Sequence, residues 1–163
     1  MLAAESDDGV KFKVNGNPIV FSNMPADPVV SHAYDPRLTV LDDRCYIMFA
    51  ADLADHCTLG LAVTDDFENY EFLGFTKGSY PDTRNGVLFP EKINGSYLRL
   101  ERPNIPQEEG NPSSGDIITL SKSADLITWK HTANLISGRW RYWDERIGAG
   151  PPPIKTKHGW LVI

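Results

Sequence analysis

One turn pattern occurs three times in this 163-residue chain at almost constant spacing. A repeat of that kind limits the fold more than any other feature, because each copy is one supersecondary unit that must pack on its neighbour. The pattern is Ser or Thr, any residue, Asp, three residues and an aromatic: Ser6 to Phe12, Thr64 to Tyr70 and Ser123 to Trp129. Its aspartates, Asp8, Asp66 and Asp125, are 58 and 59 positions apart. Short β-type runs, Leu59–Val63 and Ile117–Leu120, lead into the second and third copies, so each reads as strand, tight turn, strand.

The other half of the unit recurs as well. Tyr46–Phe49, Tyr97–Leu100 and Trp160–Ile163 each begin with an aromatic after a polar or glycine turn. No stretch carries a helical period. A unit of four short antiparallel strands over roughly fifty to sixty residues is close to a β-propeller blade. The expected organisation is all-β: a trailing half blade at 1–21, whole blades at 33–76 and 85–133, and the start of another at 148–163. The final strand, from Trp160, stops without its partners, so the chain reads as the N-terminal portion of a longer propeller. Strand edges and blade faces left uncovered in such a piece point to association between copies, and residues 1–163 alone are expected to show no turnover.

Composition narrows the function. The chain is 41% apolar and 23% charged, which suits a globular protein. Its 22 acidic and 16 basic residues give a net charge of -6, disfavouring nucleic-acid or anionic-membrane partners. No apolar run approaches the length of a membrane span, and no signal peptide is visible, so a cytoplasmic location is expected. Cys45 and Cys57 have no Cys-x-x-Cys spacing and read as free thiols; His32, His56, His131 and His158 lie apart, with no metal-ligand spacing. Gly148-Ala-Gly150 runs into three prolines rather than a helix, so it is no phosphate loop.

In a propeller the innermost strands line the central channel, so chemistry is sought where each unit's first strand begins. Those segments are Tyr34-Asp-Pro-Arg37, Asp82-Thr-Arg-Asn-Gly86 and Arg146 to Pro153. On the residues alone Asp35 reads as a turn starter capping its own backbone, with an acid as the alternative; Pro36 biases it towards an extended conformation. Arg84, Arg102 and Lys155 suit a phosphate or carboxylate, or else surface pairing with Glu91, Glu101 and Asp144. Trp140 and Trp143, among Arg139, Arg141 and Tyr142, read as packing, with sugar stacking as the alternative.

At these segments the chain closely resembles the β-mannoside phosphorylases of glycoside hydrolase family 130. The matching stretches are Ala33–Thr39, Thr83–Lys92, Gly95–Pro103, Ser123–Trp129 and Ile147–Thr156, in the family's order. The resemblance implies a five-bladed propeller that phosphorolyses β-1,4-mannosidic bonds, in mannosylglucose or manno-oligosaccharides, with inversion to α-mannose 1-phosphate. It implies Asp35 as the acid, passing its proton through the mannosyl 3-hydroxyl, Arg84, Arg102 and Lys155 as the phosphate ligands, and Tyr34, Arg37 and Asn85 at the substrate. Inorganic phosphate is then a co-substrate, and no cofactor is needed. One acid with three cations suits phosphate as nucleophile better than water, which needs a second carboxylate. A propeller glycosidase and a non-catalytic glycan-binding propeller are the competing readings.

Overall fold

The computed structural model describes residues 1–105 and 115–163. Fourteen strands follow in chain order: β1 (Leu2–Glu5), β2 (Lys13–Pro18), β3 (Phe21–Ser22), β4 (His32–Leu41), β5 (Arg44–Asp52), β6 (Cys57–Thr64) and β7 (Tyr70–Phe75), then β8 (Lys77–Gly78), β9 (Thr83–Leu88), β10 (Tyr97–Pro103), β11 (Ile117–Ser123), β12 (Thr128–Ser137), β13 (Ile154–Thr156) and β14 (Gly159–Leu161). No helix occurs among the described residues. β4–β7 and β9–β12 form two four-stranded antiparallel meanders. β1 with β2, and β13 with β14, are two-stranded hairpins.

Each meander also gains a short parallel fifth strand that the sequence pattern did not indicate. β3 lies on β7 and β8 on β12, so the chain segment leaving one unit pairs with the outer edge of the next. Gly78 permits this in the second sheet. Its φ of 147° is a glycine conformation, and a Cβ there would run into the backbone carbonyl of Trp129.

The three Asp turns share one set of backbone N–H hydrogen bonds. In each, the Ser or Thr hydroxyl accepts the N–H three residues on: Gly9 to Ser6, Phe67 to Thr64 and Leu126 to Ser123, all 2.9 Å. The Asp carboxylate then accepts the next two N–H groups, at 2.7–2.9 Å. The residue after each Asp has positive φ: 70° at Gly9, 58° at Phe67 and 66° at Leu126. The repeated aromatic has a polar reason. Tyr70 Oη and Trp129 Nε1 each donate at 2.8 Å to the carbonyl of that left-handed residue. Phe12 has no donor to give, and it stays exposed.

Strand alternation sends successive side chains to opposite faces, and along the inner strands of the two large sheets both faces are covered. β6 is therefore buried at every position. Leu41, Met48, Leu59, Leu61, Leu88 and Trp129 pack between the two sheets. Ile47, Phe49 and Phe72 turn the other way, towards Met1, Ile19 and Phe21. Val87, Phe89 and Leu100 face Ile147, Trp160 and Val162. Units thus stack face on face in chain order, and β4 and β9 form the same edge of their respective sheets.

Candidate active site

That shared edge is irregular at the same place in both sheets. Between Tyr34 and Arg37, β4 spends three residues where β5 spends two, from Ala50 to Met48. Between Arg84 and Val87, β9 does the same against Leu100 and Arg102 of β10. Such bulges re-aim a side chain and are enriched beside active sites. The residue after Tyr34 and the residue after Arg84 are both left-handed, Asp35 at φ 53° and Asn85 at φ 52°. The expectation that Pro36 holds Asp35 extended is therefore corrected: the bulge, anchored by the ladder on either side, sets the conformation instead. The two residues meet, Asn85 Nδ2 donating to Asp35 Oδ2 at 3.1 Å.

Beside them Arg84 and Arg102 are cross-strand partners in the β9/β10 ladder. Like charges directly opposite each other destabilise a sheet, so the pair needs another reason to be there. Both side chains are half-buried, and the Nε of each is buried without a hydrogen-bond partner. Arg102 Nη1 donates to the Ile147 carbonyl at 3.3 Å. Burial first, then the charges of Arg84 and Arg146, push the Arg102 guanidinium below its ordinary range, and Asp35 partly offsets them. This is a cationic pair with unspent donors beside one carboxylate, suited to an oxyanion.

Tyr34 donates to Asp52 Oδ1 at 2.8 Å and lies 3.6 Å from Cys57 Sγ. Burial and those two neighbours raise its phenol well above the usual range, so it stays a donor. Arg37 reaches across the units, its Nε donating to the Gly150 carbonyl at 3.0 Å and Nη2 to Ala149 at 3.4 Å. It clamps the third leading segment onto the first. Gly148 makes room in that segment: a Cβ there would lie 3.1 Å from Asn85 Oδ1.

The structure does not bring every expected residue together. The Lys155 ammonium lies 2.6 Å from Glu91 Oε1 on an exposed face of β13, in a surface ion pair. That is the surface-pairing alternative, and Asp144 likewise pairs with Arg139. Glu101 is not a surface partner at all, being buried against Arg99. Arg146, whose charge acts on Arg102, was legible only as part of its segment. Asp52, which holds Tyr34, carried no sequence signal. Cys45 and Cys57 are buried free thiols. Among the described residues no group of three or more His, Cys, Asp or Glu is placed to hold a metal ion, and no helix is long and apolar enough to cross a membrane.

An all-β stack of repeated sheets, carrying a carboxylate and a guanidinium pair at one shared edge, defines a class of repeat-built proteins with an anion-capable site rather than one activity. The comparisons narrow it. The glycoside hydrolase family 130 model, described as beta-1,4-mannooligosaccharide phosphorylase, matches residues 2–163, and the chain belongs to that family. It is 35% identical over 166 residues to a beta-1,4-mannooligosaccharide phosphorylase of Ruminococcus albus, covering 99% of this chain and 48% of the relative. It is 31% identical over 179 residues to a 4-O-beta-D-mannosyl-D-glucose phosphorylase of Bacteroides fragilis, covering 98% and 44%. Among solved structures, the beta-1,2-mannobiose phosphorylase of Listeria innocua superposes with a TM-score of 0.81 at 31% identity, over 98% of this chain and 43% of that one. The chain spans about half the length of the curated relatives it matches.

Proposed function

We propose that this chain supplies the acid and the anion-binding arginines of an inverting β-mannoside phosphorylase built on a five-bladed propeller. The observation that carries the reading is the cross-strand pair Arg84 and Arg102, half-buried with unspent Nε donors, beside Asp35. Relatives acting on β-1,4 linkages support β-1,4-mannosides as substrates, although β-1,2 enzymes are also among them.

In the reaction an oxygen of inorganic phosphate attacks the anomeric carbon of the mannosyl unit. The bond from that carbon to the glycosidic oxygen breaks with inversion, and the leaving oxygen takes a proton originating on Asp35, relayed through the mannosyl 3-hydroxyl. The products are α-mannose 1-phosphate and the shortened sugar. Holding phosphate in line turns a bimolecular encounter into a positioned attack, and the guanidinium pair neutralises the anion as it approaches. An inverting hydrolase instead sets a second carboxylate roughly 6.5–9.5 Å from the acid to activate water. The nearest counterpart of Asp35 in the repeat is an amide, Asn85, at hydrogen-bond distance. Tyr34 and Asn85 complete the sugar side, and Arg37 shapes it through the third segment; Lys155 would have to leave Glu91 to reach phosphate.

Calorimetric titration of this chain with inorganic phosphate tests the anion site: binding is expected, and Arg84→Ala or Arg102→Ala should abolish it. Phosphate binding that survives both substitutions defeats the assignment. Turnover is read as phosphate-dependent release of mannose 1-phosphate from β-1,4-mannobiose by the chain continued to the length of its relatives. Release of free mannose without phosphate would make it a hydrolase, and sugar binding without either product a glycan-binding protein.

A further inference from the structure

The two bulges give Asp35 and Asn85 one shared slot in the repeat, in β4 and β9 respectively, with φ angles that differ by a single degree. The slots abut, so the side chain from one unit lies on the side chain from the next. Asn85 is 9% exposed, and its Oδ1 is buried with no hydrogen-bond partner, packed against Gly148. Turning that amide over would set an oxygen against the Asp35 carboxylate. The donor therefore has one useful direction, towards Asp35 Oδ2.

We infer that Asn85 is a positioning residue for Asp35, its amide holding Oδ2 as an acceptor so that the transferable proton is carried on Oδ1. The inference rests on the proposed role of Asp35 as the acid. A neutral donor on one oxygen makes the two oxygens of the acid inequivalent, which fixes where the proton leaves from. It also explains why the second slot holds an amide. A carboxylate at 85 would sit at hydrogen-bond distance from Asp35, and two such groups cannot both ionise freely. Arg102 on β10 feels the Asp35 carboxylate and also the charges of Arg84 on β9 and Arg146; Tyr34 on β4 has its hydroxyl committed to Asp52.

The test follows the Asp35 carboxyl carbon by NMR through a pH titration of this chain, in the native form and in Asn85→Ala and Asn85→Asp. In Asn85→Ala, where the donor is lost, the pH profile of the Asp35 carboxyl carbon should be displaced from the native one. In Asn85→Asp, the carboxyl carbons of residues 35 and 85 should report one coupled, two-step titration. Amide dispersion shows whether each variant folds; should Asn85→Asp not fold, Asn85→Ala decides alone. A merely structural asparagine would lower stability and leave the Asp35 curve in place, and that result overturns the inference. The acid role stands on a separate readout. If Asp35→Asn kept near-native phosphorolysis while Asn85→Ala moved the titration, the reading of Asp35 as acid would fall and the pairing would remain.

Discussion

Arg99 and Glu101, two residues apart on β10, share the face that meets the first sheet, and each is 1% exposed. Arg99 Nη2 donates to Glu101 Oε2 at 2.8 Å, Nη1 donates to Thr76 Oγ1 at 2.9 Å, and the guanidinium lies 4.4 Å from the Trp129 ring centroid. Ser121 donates to the other oxygen of Glu101. Burial lowers the Arg99 guanidinium from its ordinary range, and the carboxylate opposes that shift. Arg99→Met keeps a long apolar stem and removes the cation. Glu101 then keeps one hydroxyl donor for a charge that no longer has a counterion. Breaking a buried pair from one side costs about 3–5 kcal/mol. At about 2–4 °C per kcal/mol for a chain of this size, the melting temperature should fall by about 6–20 °C. Replacing both residues, Arg99→Met with Glu101→Leu, removes the stranded charge and should recover most of the loss. Urea unfolding with an unchanged m-value reads both numbers. A single substitution costing under about 1 kcal/mol, or a double variant less stable than the single one, would refute the idea that the pair is held by mutual neutralisation.

Three further outcomes are expected. Asp66 and Asp125 are held down to about 2 from an ordinary 3.8, chiefly by the backbone N–H donors of their turns, so their stabilisation is present above about pH 4 and fades as pH falls towards 2; urea midpoints across pH 2–5 should fall less steeply in Asp66→Asn/Asp125→Asn, and an unchanged slope would count against the turns as the source. Gly78→Ala should detach β8, with faster hydrogen exchange at the Lys77 and Ser79 amides that bond Ile127 and Trp129; native protection at both would show that the clash is absorbed. Arg102→Lys keeps the charge and loses the fork, so calorimetry should give about tenfold weaker phosphate binding or worse, and equal affinity would remove the two-pronged contact from the account.

How much was legible in the sequence depends on the range of the interaction. The Asp turns could be read because their hydrogen bonds close within three residues and need only Ser or Thr, Asp and a donor-bearing aromatic at fixed offsets. The two antiparallel meanders followed from those turns. β3 and β8 could not be read: two residues each carry no periodicity, and their partners lie about fifty positions away. Arg99 and Glu101 alternate with leucines like any half-exposed strand, and only a second sheet against that face buries them. The likeness of Asp35 and Asn85 was hidden for a different reason. Tyr-Asp-Pro-Arg and Arg-Asn-Gly-Val match at no aligned position, and a bulge is a property of register between strands, which neither segment states alone.

The site and the buried ion pair use opposite faces of the same short strand. Along β10, Leu98, Leu100 and Arg102 point one way, towards Ile147, while Arg99 and Glu101 point the other. Setting Arg102 across from Arg84 costs stability locally, and a floppy strand would relieve it by letting the guanidinium groups drift apart. β10 has no such freedom. It is laddered to β9 and β11 on its two edges, and on its back the neutralised Arg99 and Glu101 tie it to Thr76 and Ser121. The repulsion between Arg84 and Arg102 is thereby kept where an incoming anion can relieve it. On this account Arg99→Met should weaken phosphate binding as well as stability, although Arg99 faces away from the site, whereas truncating the exposed Lys122 on the next strand should change neither.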